Sequence, residues 1–153
     1  MTLNTEKGTG SAARVVAVDH AGFVVSDLQA AVRFFVDEFG FEATERRGES
    51  LDRQGNRMAR QFGVHPRAVC RFAFVQLDSR LIEFLEWDAP DRNTDSPRNS
   101  DAGGRHLALT VEHLDELLTH LGQQPGFAVH EKTDRGFAYV STPFGLELQL
   151  IPM

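Results

Sequence analysis

Two stretches of this chain share one rhythm. From residue 14 the text runs R-V-V-A-V-D-H-A-G-F-V-V, alternating and β-branched, which predicts a strand over 14–25. Ser26 and Asp27 then offer a helix cap, and Leu28, Ala31, Val32, Phe35 and Phe39 recur every three or four residues, predicting an amphipathic helix that Gly40 stops. Residues 41–46 predict a short strand, and 45–68, polar and broken by glycine and proline, a long loop. Strands are expected over 68–77 and 80–87, hinged at Asp78 and Ser79. The turn-forming, charged residues 89–104 predict a surface linker. The rhythm then returns: G-R-H-L-A-L-T-V as a strand, a helix with Leu114, Leu117, Leu118 and Leu121 on one face, a stop at Gly122, and the candidate strands F-A-V-H-E-K-T, G-F-A-Y-V-S-T and G-L-E-L-Q-L-I.

Laid over each other, H-A-G-F-V-V-S-D-L and H-L-A-L-T-V-E-H-L coincide, and L-I-E-F-L-E against G-L-E-L-Q-L puts a glutamate in the last strand of each half. The expectation is an α+β chain of two tandem βαβββ modules. Residues 1–13 would be a flexible tail, 14–88 the first module, 89–104 the linker and 105–153 the second module.

Direction along a strand supplies the chemistry. Side chains alternate, so His20 shares a face with Gly22 and Val24, and Glu83 with Leu81 and Leu85. A carboxylate aimed into an apolar hollow costs several kcal/mol unless something positive meets it, and Glu147 raises the same problem in the second half. A divalent cation would answer His20, Glu83, His106 and Glu147 together. Two imidazoles and two carboxylates suit Zn, Ni, Co, Mn or Fe without choosing among them. Taken singly, each has a plainer reading as a core histidine or a solvated edge glutamate. His65, His113, His120 and His130 read as surface residues, Glu86 as a charge on the opposite face, and Arg46, Arg47, Arg53, Arg57, Arg60 and Arg67 as solvated loop charge that an anionic substrate tail could use.

The bulk numbers narrow the setting. At 153 residues the chain can bury a core without disulfides, and its net charge of −6, with scattered cations, disfavours nucleic acid. Twelve phenylalanines suggest an apolar cavity or a tight sheet face. Cys70, with no second cysteine, reads as a small apolar residue and suits a reducing cytoplasm. No run approaches a membrane span.

At these residues the sequence resembles the vicinal oxygen chelate superfamily of glyoxalases, bleomycin resistance proteins and dioxygenases, over nearly all of 15–152. The resemblance implies a curved, cleft-forming mixed sheet with helices on its outer face. It places His20 and Glu83 on the first-module ligand positions and His106 and Glu147 on the second, a set similar to that of bacterial glyoxalase I. It implies a lactoylglutathione lyase-like isomerase or lyase acting on a small molecule, with the metal stabilising an enediolate and Glu147 as base, and a homodimer. The rivals are an acyl-CoA epimerase of the same superfamily, whose members usually carry glutamine at the Glu83 position, and a drug-binding resistance protein without catalysis.

Overall fold

The computed structural model describes residues 13–153, so the tail expected over 1–13 lies, Ala13 apart, outside the described residues. The first module runs β1 (Ala21–Val24), α1 (Leu28–Asp37), β2 (Glu42–Ser50), α2 (Arg57–Phe62), β3 (Val69–Leu77) and β4 (Arg80–Asp88). The second runs β5 (His106–Val111), α3 (Leu114–Gly122), β6 (Ala128–Val129), β7 (Ala138–Ser141) and β8 (Glu147–Pro152). The architecture is α+β. Each module makes its own four-stranded mixed sheet, ordered β1-β4-β3-β2 and β5-β8-β7-β6, with first and last strands paired in parallel.

Local chemistry sets the helices. Asp27 caps α1 by accepting from the Ala30 amide at 2.9 Å, and Gly40, at φ 69°, takes the left-handed turn that lets the chain reverse into β2. The apolar stripe of α1 then buries Phe35 completely, ringed by Phe39, Phe41 and Phe84 at 5.6, 5.1 and 4.9 Å between centroids. Its neighbour Phe34 points elsewhere. It meets Phe127 at 5.0 Å and Phe144 at 5.8 Å, so α1 joins both modules through one apolar cluster that takes in Leu121, Leu146, Leu148 and Leu150. The Ser26 amide donates to the Phe144 carbonyl, Arg105 Nη2 donates to the Val24 carbonyl, and His120 meets Glu38 at 2.8 Å, three polar ties across the same seam. His120, exposed as expected, also makes an inter-module contact.

Three expectations need correction. The strand predicted over 14–25 is formed only at Ala21–Val24, and Val15, Val16 and Val18 stand exposed. The alternation there is genuine, yet β1 finds its parallel partner only from Ala21, opposite Ile82, and no strand flanks the residues before it. The short strand after Gly40 instead runs nine residues to Ser50, past a bulge between Ala43 and Arg47.

The long loop contains α2. Its organiser is Asp52, whose carboxylate accepts from the amides of Gln54, Gly55 and Arg57 at 3.2, 2.7 and 2.9 Å. Arg57 braces the Leu51 carbonyl at 2.6 Å, Arg67 holds the carbonyls of Asp52 and Gly55, and Met58 is driven wholly into the core. Two of the arginines read as solvated charge are therefore loop struts. Those amide bonds, with Arg57 and Gly55 first, hold the Asp52 carboxyl down at about 2.

Phe35→Ala should cost about 3–5 kcal/mol, read as a lower urea midpoint at unchanged slope. For Asp52 the ionised form is the one the fold favours, so its contribution is complete above the ordinary 3.8 and is lost as pH falls through about 2. The Gly55 amide resonance should titrate with a midpoint near 2, and Asp52→Asn should flatten that titration and speed amide exchange across α2.

Candidate active site

Each sheet turns one face toward its long helix, α1 or α3, and the other face away from it. On β1 and β4 the face turned away carries His20, Gly22 and Val24 beside Glu83, Leu85 and Trp87, since Gly22 pairs with Glu83 and Val24 with Leu85. His20 Nδ1 lies 2.7 Å from Asp19 Oδ2, and its Nε2 lies 3.2 Å from Glu83 Oε2. An ionised carboxylate only accepts, so the Asp19 contact requires a proton on Nδ1, and a neutral ring then presents a bare lone pair to Glu83. Two acceptors at that distance need a positive centre between them, a proton on the metal-free ring or a cation in its place. The first-module pair therefore fits a metal. A Cβ at Gly22 would make only ordinary contact with Glu83 Oε2, at 3.4 Å.

The surroundings reinforce the pair. The His20 hydrogen bond holds the Asp19 carboxyl below its usual range against slight desolvation, and Arg46, 3.7 Å away, adds to the lowering. Arg46 also lies 4.1 Å over the Phe74 ring, and His20 meets Phe74 edge-on at 5.0 Å. Cys70, on the same face of β3 as Phe74, has its thiol pushed up to about 11, first by burial and then by Glu83. Toward the other end of the face, Phe62 of α2 packs edge-on to Trp87 at 6.1 Å. There a cavity of about 850 Å³ opens beneath the linker, lined by Val24, His65, Trp87, Arg92, Arg105 and Phe144 among others.

The second sheet repeats the arrangement with a displacement. Ala108 pairs with Gln149, and His106 precedes Ala108 by one pleat, as His20 precedes Gly22. Tyr139 pairs with Gln149 as Phe74 pairs with Glu83, and His106 meets Tyr139 edge-on at 5.5 Å. The counterpart of Glu83 is therefore Gln149, not Glu147 as the self-match of the text suggested. Glu147 stands directly abreast of His106, where the first sheet has Leu81. Its Oε2 is buried without a hydrogen-bond partner, as is Arg105 Nε nearby, and both residues line a small pocket with Ser96 and Ser141.

The four residues expected to converge do so in pairs. His20 meets Glu83, and His106 adjoins Glu147, but among the described residues no three His, Cys, Asp or Glu side chains gather closely enough to hold one ion. Each pair belongs to its own hydrogen-bonded sheet, which is why one chain does not bring all four together.

Residues 17–150 match the model of the Glyoxalase/Bleomycin resistance protein/Dioxygenase superfamily. The chain belongs to that superfamily. Among curated proteins, a 2-epi-5-epi-valiolone epimerase from Actinomyces sp is 37% identical over 146 residues, covering 89% of this chain and 79% of that protein. A glyoxalase family protein from Bacillus cereus superposes with a TM-score of 0.72 at 20% identity, over 94% of this chain and 98% of that one. A variant of the fosfomycin resistance protein FosX from Listeria monocytogenes, solved with Mn(II) and a dihydroxypropylphosphonic acid, gives 0.56 at 15% identity, over 90% and 93%. Both structures share the two-module fold of this glyoxalase-superfamily chain.

Sequence reasoning passed over Gln149, Tyr139 and Asp19. Gln149 carried a signal in hindsight, because it shares the face of Glu147 and lies one pleat further along β8. Glu86 was read correctly as lying on the other face: it accepts from the Leu28 amide at 2.7 Å and pairs with Arg71, and the Leu28 bond, ahead of Arg71, holds its carboxyl below the ordinary value. Among the described residues no helix is long and apolar enough to cross a membrane.

Proposed function

We propose that this protein is a divalent-cation-dependent epimerase that inverts a carbon next to a carbonyl in a small oxygen-rich substrate, of the kind named for its 37% identical relative, 2-epi-5-epi-valiolone. The relative supports an isomerase over the lyase suggested by the glyoxalase I-like ligand pattern. It also moves the favoured substrate away from both hemithioacetals and acyl-thioesters. The superfamily neighbour solved with Mn(II) supports a metal in this fold.

The observation that carries the reading is the position of Glu147. His20 and Glu83 from one module, with His106 and Gln149 from the other, form matched donor pairs, and this leaves Glu147 beside them as a carboxylate that no ligand geometry needs and no hydrogen bond occupies at Oε2. Such a group can take a proton from carbon. A cation held by the four donors would polarise the substrate carbonyl and make the neighbouring C–H acidic. Asp19 fixes the His20 ring so that Nε2 faces inward, and Arg46 and Phe74 shield its flank. The 850 Å³ cavity next to Trp87 has room for a small ring.

Because each chain presents its two donor pairs on separate sheets, we extend the reading to a homodimer in which the first module of one copy faces the second module of the other. The cleft would then be walled by both.

Protein purified without chelators should contain stoichiometric divalent metal by elemental analysis, and His20→Ala with Glu83→Ala should empty it. Glu147→Gln should keep the metal yet lose epimerisation and solvent-deuterium incorporation by about 100-fold or more. Loss of metal in that variant would return Glu147 to the ligand set and sink its role as a free base. Mixing an inactive His20/Glu83 double variant with an inactive His106→Ala variant, then allowing subunits to exchange, should restore about a quarter of wild-type activity if sites are shared between copies. An intramolecular site would restore none.

A further inference from the structure

The cavity of about 850 Å³ beneath the linker has two unlike walls. One is apolar and belongs to the modules: Val24 and Trp87, from the face that carries His20 and Glu83, stand there with Val64 and Phe144. The other is the linker itself, which contributes Asp91, Asp95 and Ser96.

The polar groups of this cavity are not equally free. Arg92 donates through Nη1 to the Trp87 carbonyl, and Arg105 through Nη2 to the Val24 carbonyl at 2.9 Å, so both guanidinium groups are pinned to backbone. His65 Nδ1 accepts from the Arg67 amide at 3.0 Å, which leaves that ring one N–H to offer. The carboxylates of Asp91 and Asp95, by contrast, form no hydrogen bond or ion pair with another described residue, and neither does the Ser96 hydroxyl. An ionised carboxylate accepts hydrogen bonds and donates none, so the linker wall calls for donors. The facing wall calls for carbon, because an indole offers a broad apolar surface. A ring with C–H bonds on its faces and hydroxyls around its rim meets both demands. A bare hydrocarbon ring leaves the carboxylates without partners, and a phosphate ester brings like charge against them.

The cavity also leads toward the chemistry. Ser96, Pro97, Arg105 and Gly145 line it, and the same four residues line the small pocket, of about 160 Å³, that Glu147 borders. Ser96 seats the linker at that junction: a Cβ at Gly145, whose φ is 82°, would stand only 3.0 Å from Ser96 Oγ.

We propose that the linker is the recognition wall of the site, and that the slot between it and Trp87 selects an uncharged polyhydroxylated ring over its phosphorylated form. The ring lays its apolar face on the indole and donates hydroxyls to Asp91 and Asp95. This rests on reading the protein as an enzyme of oxygen-rich rings, and it names the residues that choose among them.

Trp87 is the sole tryptophan of the chain, so its emission reports on the slot directly. The test titrates full-length protein, carrying the metal with which it is purified, with three probes: 2-epi-5-epi-valiolone, the same ring bearing a phosphate ester, and cyclohexanone, which keeps ring and carbonyl but lacks the hydroxyls. The first should change the emission saturably, and the other two should bind at least about tenfold more weakly. Asp91→Ala combined with Asp95→Ala should raise KM for the free ring about tenfold and leave kcat within about twofold, the signature of lost ground-state binding. Both side chains are exposed, so the melting temperature should not move. Trp87→Ala, followed by calorimetry, should weaken binding of the free ring comparably. A phosphate ester that binds as tightly as the free ring overturns the inference, as does a wild-type KM in the double variant, and both leave the epimerase reading standing. Saturable, hydroxyl-dependent binding at Trp87 by a protein that neither inverts the ring nor exchanges its hydrogen with D₂O supports the slot and sinks the epimerase reading instead.

Discussion

Everything at the candidate site depends on the parallel pairing of each module's first strand with its last. Without β1 against β4, His20 and Glu83 are 63 residues apart with nothing to bring them together; with it, one pleat of offset places their side chains in contact. The β5–β8 pair sets His106 abreast of Glu147 and one pleat from Gln149. Parallel neighbours need long crossovers, and here each crossover carries the module's helices and hairpin. The longer helices α1 and α3 pack on one face, while on the other only α2 reaches in, at Trp87.

The two sheets are variations on one plan rather than copies. In both, a histidine stands edge-on to an aromatic ring of the third strand, and that ring is paired with an oxygen-bearing side chain of the central strand. The first version is rigid and charged, with Asp19 and Arg46 bracing His20. The second sets Glu147, whose Oε2 is buried without a hydrogen-bond partner, abreast of His106.

Much of this could be read from the residues. The helix stripes, the hairpin at Asp78 and the repeat of the module were all plain, because periodicity and turn formers act locally. Three things were not. The helix α2 is six residues long and is held by Asp52, Arg57 and Arg67 through bonds to backbone that no periodicity reports. The residues before Ala21 have strand character but lack a neighbour, and pairing is a property of the sheet. The third concerns Glu147 and Gln149. A one-residue slip in register would flip every side chain and betray itself, whereas a slip of two leaves each on its proper face. The text alone could not tell which of the two lies where Glu83 lies; the partners Ala108 and Tyr139 decide it.

Cys70 gives the molecule a practical property. A sulfhydryl that is closed off from water and holds its proton to about pH 11 exposes almost no thiolate to alkylating reagents or oxidants under ordinary conditions. Since it is the sole cysteine in the chain, an added one on either open sheet would be the sole reactive sulfur, and a fluorophore or spin label attached there would report on the cleft without competing signal from the native thiol.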